Sequence, residues 1–195
     1  MIYLIRHGQT ALNKSHALQG RSDSPMNAAG MAQAQNLAQE LAARGIKFDR
    51  AFSSPLQRAI QTARIVAPGV SLTCDERLLE MDYGPYEGAD LTAPPAEVVT
   101  FFKDFVHNPA PDGMEPLSSV VARTGAFVEE LRDLPGNTLV STHAIALKGI
   151  LEYLTPTSRG AYWSKYVGNC AVYVTRFCNG RFDVPVELEH LLPGK

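Results

Sequence analysis

Short apolar runs rich in β-branched and aromatic residues alternate along this chain with stretches of helical periodicity, and that alternation leaves few folds open. Residues 1–5, 48–53, 70–73 and 138–142 read as strands. Between them, Asn27 can cap a helix running to about Arg44, with Leu37 and Leu41 on one face and Gly45 as its stop. Ser54-Pro55 suits an N-cap followed by a first helical residue, and Leu56, Ala59, Ile60 and Ala63 place an apolar stripe on a helix ending near Ala67. Helices are also expected over 96–106, 117–134 and 145–154, and loops over 8–26, 74–95 and 108–116. Near the end, residues 171–177 and 182–188 flank Asn179-Gly180, a strong hairpin signal. The pattern predicts an α/β fold, a three-layer α/β/α sandwich. Its central sheet is mostly parallel with an antiparallel C-terminal edge hairpin, and a helical lid is inserted at about 90–134. The tail over 191–195 is expected to fray.

With 195 residues, 45% of them hydrophobic, one domain spanning 1–195 can bury a sizeable core. The formal net charge is -2, and there is no run of eighteen apolar residues, no signal-peptide pattern and no basic block. These features predict a cytoplasmic protein with no membrane or nucleic-acid partner, and they say nothing of oligomeric state. Cys74, Cys170 and Cys178 lack the paired short spacing of a zinc site and are expected to be reduced, mostly buried thiols.

The polar residues at the strand ends are the informative ones. Arg6 and His7 close the first strand, Ser53 closes the second shortly before Arg58, Glu80 follows the third and His143 closes the fourth. The carboxyl edge of an open α/β sheet is where ligands bind. A neutral imidazole is a nucleophile near neutral pH, a guanidinium matches phosphate oxygens, and Gly8 would let a ligand approach the backbone. The N–H groups of Ala144 and Ile145, opening a helix, could face the same anion. Each residue alone has a plainer reading: His7 and His143 as satisfied structural histidines, Arg58 as a solvated helix residue, Glu80 as a partner of Arg77. Their coincidence after successive strands favours a phosphate cage.

These residues sit in motifs that resemble those of the histidine phosphatase superfamily, the phosphoglycerate-mutase-like family, from Met1 to the last hairpin. The motifs are Leu4-Ile5-Arg6-His7-Gly8-Gln9-Thr10 with Asn13; Gln19-Gly20 followed by Asp23-Ser24-Pro25-Met26; the stretch from Ser53 to Ala63; Leu78-Leu79-Glu80 with Gly84 and Glu87-Gly88; and Ser141-Thr142-His143. The resemblance implies that His7 is a nucleophile that becomes phosphorylated. Arg6, Arg58, His143 and Asn13 would hold phosphoryl oxygens, and Glu80 would be the general acid, with Asp82 the next candidate. Gln19, Gly20, Ala144, Arg21 and Tyr83 are expected around the substrate, with Tyr86 near the entrance. No metal or other cofactor is implied, because the arginines and imidazoles supply the charge. Ala144 stands where the family often has Gly, Leu12 where it often has Trp, and Met114-Glu115-Pro116 where small phosphatases often have Gly-Glu-Ser. In size and layout the chain is similar to the α-ribazole phosphatase and broad-specificity phosphatase branch. The expected activity is hydrolysis of a small phosphate monoester. The alternatives are a cofactor-dependent phosphoglycerate mutase and a catalytically silent phospholigand-binding scaffold.

Overall fold

The structure, a computed structural model, describes residues 1–188, so the tail expected over 191–195 lies outside the described residues. Six strands form the central sheet: β1 (Ile2–Arg6), β2 (Arg50–Ser53), β3 (Leu72–Cys74), β4 (Thr138–Thr142), β5 (Val172–Thr175) and β8 (Val186–Glu187), in the order β3-β2-β4-β1-β5-β8. Pairing is parallel from β3 through β1, while β5 runs antiparallel to β1 and β8 antiparallel to β5. The period-two alternation of side chains sorts the strand residues into two cores. Tyr3, Ile5, Leu139, Val172 and Val174 face one side, where they pack with Leu37, Leu41 and Ala63 of α2 (Ala28–Ala43) and α3 (Gln57–Val66). Ile2, Leu4, Val140 and Tyr173 face the other, against Phe127, Val128, Leu147 and Ile150 of α5 (Leu117–Glu129) and α6 (Ala144–Leu154). A sheet covered on both faces buries its central strands along their length: β1 is apolar up to Arg6, and every residue of β4 is buried although Thr138, Ser141 and Thr142 are polar.

Asn27 caps α2 as expected, its side-chain oxygen accepting from the Gly30 N–H, and Gly45 follows the helix with φ +72°. The start of α3 differs from the expectation. Leu56, not Ser54, is the N-cap, and the Gln57 N–H is satisfied from a distance by Asp23 Oδ1 at 2.7 Å. Ser54 cannot serve because its backbone still pairs with Ser141 and its hydroxyl meets His143. The polar loop after β1 also contains a single turn of helix, α1 (Ala11–Lys14), closed by a reciprocal cap between Thr10 and Asn13. One turn is too short for a periodic signal.

The Asn179-Gly180 turn forms with both residues at positive φ, as a type I′ hairpin requires. Its arms, β6 (Phe177–Cys178) and β7 (Arg181–Phe182), make a separate two-stranded ribbon, and β5 and β8 on either side supply the antiparallel edge of the main sheet. The expected lid pair divides. Helix α4 (Ala96–Lys103) belongs to a third, smaller core with Leu18, Met81 and Trp163, whereas α5 is a layer helix packed on α6, with Tyr153 filling the space beside Gly125. The expectation of mostly buried cysteines fails: Cys74, at the end of edge strand β3, is exposed, and Cys170 and Cys178 are half-buried. Among the described residues no helix is long and apolar enough to cross a membrane.

Candidate active site

Parallel pairing brings the carboxyl ends of β1, β2 and β4 to one edge, with Arg6 beside Thr142 and Ser53 beside Ser141. The residue after each of β1 and β4 is a histidine, and the two rings lie 5.1 Å apart in an edge arrangement, both buried. His7 Nδ1 is 2.7 Å from the Gly8 carbonyl oxygen, which can only accept, so Nδ1 carries the proton and Nε2 presents a lone pair. Arg58, fully buried in the first turn of α3, donates its Nε–H between His7 Nε2 (3.3 Å) and His143 Nδ1 (3.2 Å). That donation fixes the second tautomer too: His143 Nδ1 accepts, and Nε2 donates to Ser54 Oγ at 2.8 Å. Burial, then the Arg58 and Arg6 guanidinium groups, hold His7 well below the ordinary imidazole range. Burial, Arg58 and His7 do the same for His143. Both rings are therefore neutral, as a nitrogen nucleophile requires.

Arg58 is itself held from outside the sheet. Its Nη2 donates to the Gly20 carbonyl at 2.6 Å and its Nη1 to the Ser22 carbonyl at 2.7 Å. That loop is tied down in turn by the Glu87 carboxylate, which accepts from the N–H groups of Gly20, Arg21 and Ser22. Gly20 thus reaches the site through its carbonyl. A Cβ there would come within 2.6 Å of both Glu87 Oε2 and the Met81 carbonyl. Gly8 has a different role from the expected one. A Cβ on it would meet the Gly30 carbonyl at 2.5 Å and Met26 Sδ at 2.6 Å, so its small size lets α2 cross close to the strand end and does not make room for a ligand.

Arg6 is nearly buried, donates through Nη1 to the Val167 carbonyl, and leaves Nε buried with no protein partner. A buried donor without an acceptor is costly, and a phosphoryl oxygen would satisfy it. Arg6 lines a pocket of about 340 Å³ together with Asn13, Gln19, Glu80, Tyr83 and Ala144. Within it, Asn13 Oδ1 accepts from Thr10 N and Asn169 Nδ2, while the Gln19 amide is engaged by Thr10, Asn13 and Ser24. Tyr83 is buried, and burial pushes its phenol well above the ordinary range, so it stays protonated.

Glu80 is placed by the third strand's exit and by the start of α6. Its Oε1 accepts from the N–H groups of Met81 (2.9 Å), Ala146 (3.0 Å) and Ile145 (3.1 Å). Hence the Ile145 N–H, expected to face phosphate, instead anchors the carboxylate. The segment carrying Glu80 is fixed by Thr142, which donates to the Leu78 carbonyl, and by Arg123, which donates to the carbonyls of Arg77 and Leu79 while ion-paired with Glu115. Arg21 is not brought to the pocket lining. It lies outside, paired with Asp82 and Glu115, and Tyr86 packs in the small third core.

The motifs do not name the rest of the lining: Leu18, Leu91, Phe102, Phe105, Lys148, Tyr166 and others. Of these only Lys148 carries a signal in the sequence, as the one charged residue in the first two turns of an apolar helix, four positions after Ala144.

The chain belongs to the histidine phosphatase superfamily (branch 1), whose sequence pattern it matches over residues 2–186. Among its relatives is a Yersinia pestis protein named "Probable phosphoglycerate mutase GpmB", 31% identical over 179 residues that cover 88% of this chain and 82% of that protein. Solved structures with the same fold include Bacillus stearothermophilus YhfR, at 29% identity and a TM-score of 0.81 over 94% of each chain. Another is the phosphoserine phosphatase of Entamoeba histolytica in complex with 3-phosphoglyceric acid, at 25% identity and a TM-score of 0.77 over 95% of this chain and 93% of that one. The family and these relatives support a phosphatase or a mutase-like enzyme.

Proposed function

We propose that this chain is a metal-independent phosphomonoesterase that hydrolyses a small phosphorylated metabolite through a phosphohistidine on His7. The observation that carries this reading is the hydrogen bond from His7 Nδ1 to the Gly8 carbonyl, which leaves Nε2 unprotonated beside Arg58 and His143. In the first step the Nε2 lone pair forms a bond to phosphorus as the ester P–O bond breaks, and Glu80 gives its proton to the leaving oxygen. Oε2 is the oxygen suited to carry that proton, since it receives only a shared 3.2 Å contact from Ile145 while Oε1 accepts three donors. In the second step the Glu80 carboxylate takes a proton from water, the water oxygen attacks phosphorus, and the P–N electron pair returns to Nε2. Arg6 Nε and Arg58 would offset the charge spread over the phosphoryl oxygens, with Asn13 lining the same pocket as Arg6.

Turnover of an aryl phosphate such as phenyl phosphate is expected to persist in EDTA and to disappear in His7→Ala; EDTA-sensitive or His7-independent turnover overturns the reading. The mutase alternative, favoured by the name of the Yersinia relative, requires interconversion of phosphoglycerates with a bisphosphorylated primer, an assay expected to be negative. A silent scaffold would bind phosphate esters without consuming them.

A further inference from the structure

Phosphoryl transfer accounts for the polar end of the pocket but leaves one charged group in it unused. Lys148 lies one helical turn beyond Ala144, on the face of α6 that lines the pocket, and is only 9% exposed. Lysines on apolar helices usually extend their ammonium to water. This one turns inward: Nζ donates to the Trp163 carbonyl at 2.7 Å and lies 5.5 Å from the centroid of the Phe105 ring. Among the described residues it forms no ion pair. Burial pushes its ammonium down to about 8, against the opposing pull of Glu80, so it is still mostly charged near neutral pH. One carbonyl and one ring face do not satisfy three N–H donors on a buried cation. The walls beside it are aromatic, with Phe102 and Phe105 in edge contact at 5.1 Å.

We propose that Lys148 is a specificity-determining residue that binds a carboxylate on the leaving group, so that the substrates of this site are acidic phosphate monoesters with an apolar or aromatic portion packed against Phe102 and Phe105. The inference rests on the phosphomonoesterase reading above and adds the substrate class to it. A single ammonium matches a single carboxylate charge, whereas a second phosphoryl group would call for a guanidinium fork or another cation at this end. A pocket of about 340 Å³ limits the leaving group to a small metabolite. In a neutral ester the buried ammonium would keep its unfilled donors, which penalises that ester relative to the acidic one.

The test compares phenyl phosphate with 3- and 4-carboxyphenyl phosphate, esters that differ only in the carboxylate. The protein is expected to prefer one carboxylated isomer by about tenfold or more in kcat/KM, mainly through KM. Lys148→Met should remove that preference by lowering kcat/KM for the carboxylated ester about tenfold more than for phenyl phosphate, and Lys148→Arg should restore part of it. Absence of the preference, or an equal fall for both esters in Lys148→Met, overturns the inference and leaves Lys148 as a structural tie to Trp163. If no ester is turned over, the phosphatase reading fails by itself. Calorimetric titration of the same esters onto His7→Ala then still reads the carboxylate preference, and equal affinities overturn it.

Discussion

The two ends of the proposed site, the strand-end cluster that would hold phosphate and the pocket wall that would hold the leaving group, are built in different ways. At the phosphate end, Arg6, His7 and His143 leave adjacent parallel strands and Arg58 enters from the first turn of α3, so the backbone hydrogen bonds of the sheet set their spacing. Nearly every polar atom there also has a second tie, to Gly8, Ser54, Gly20 or Ser22. At the leaving-group end, Leu18, Leu91, Phe102, Phe105 and Tyr166 come from loops and from the short helix α4, and what positions them is packing, including the edge contact of Phe101 with Phe105 at 4.8 Å. The strand-end side chains are thus held by the sheet, whereas the pocket wall is held by side-chain packing.

That contrast predicts graded effects. Arg58→Met should be the most damaging of the following changes, because it removes the cation between the two imidazoles and strands two carbonyls and two imidazole nitrogens. A loss of about 10³-fold in kcat/KM and about 2–4 kcal/mol of stability is expected from kinetics and denaturant melts. A loss of activity without a stability change would mean that Arg58 is not part of the framework.

Glu80→Gln keeps an oxygen that can accept from Ile145 and Ala146, so the fold should hold. Alkyl ester hydrolysis should fall by about 10²- to 10³-fold, and aryl esters with good leaving groups should suffer much less in the transfer step. Equal losses across leaving groups would move the acid to another residue, Asp82 first. Phe102→Ala, at the other end, should raise KM about 5–10-fold for a bulky ester and leave kcat within a factor of about three, a split that initial-rate kinetics resolves.

The smallest effect is on stability against pH. Unfolded imidazoles take up protons as pH falls through about 6.5, whereas His7 and His143 in the folded protein, held well below that value, do so only at much lower pH. The unfolded state binds more protons across that window, so stability is full above about pH 6.5 and declines below it, by up to about 1.4 kcal/mol per imidazole per pH unit. Urea melts at about pH 7 and pH 5.5 should show the decline, and the His7→Gln, His143→Gln double variant should flatten it.

The phosphate end was legible in the sequence for the same reason that it is rigid: a strand end followed by Arg-His, or by His alone, is a local pattern that the sheet converts directly into position. The carboxylate–helix contact of Glu80 was not legible, because it joins residues 80 and 145–146, and periodicity carries no information on such pairings. Gly8 was misassigned because the close approach that it permits is to Gly30, on a helix whose crossing point only the fold determines. The expected Ser54 cap gave way to Asp23 because Ser54 is the acceptor for His143, a tertiary demand that outweighs local capping preference. The aromatic wall from α4 and the 160s segment left no motif at all, and Lys148, although a charge in an apolar helix, was not among the residues the motifs pointed to.

Whether His7 Nε2 takes the phosphoryl group is decided by quenching the enzyme with base during turnover of an aryl phosphate and locating the adduct by peptide mass spectrometry. One phosphoryl group is expected on His7, stable in base, lost in acid and absent from His7→Ala. Continued turnover with no adduct, or an adduct on any other residue, contradicts it.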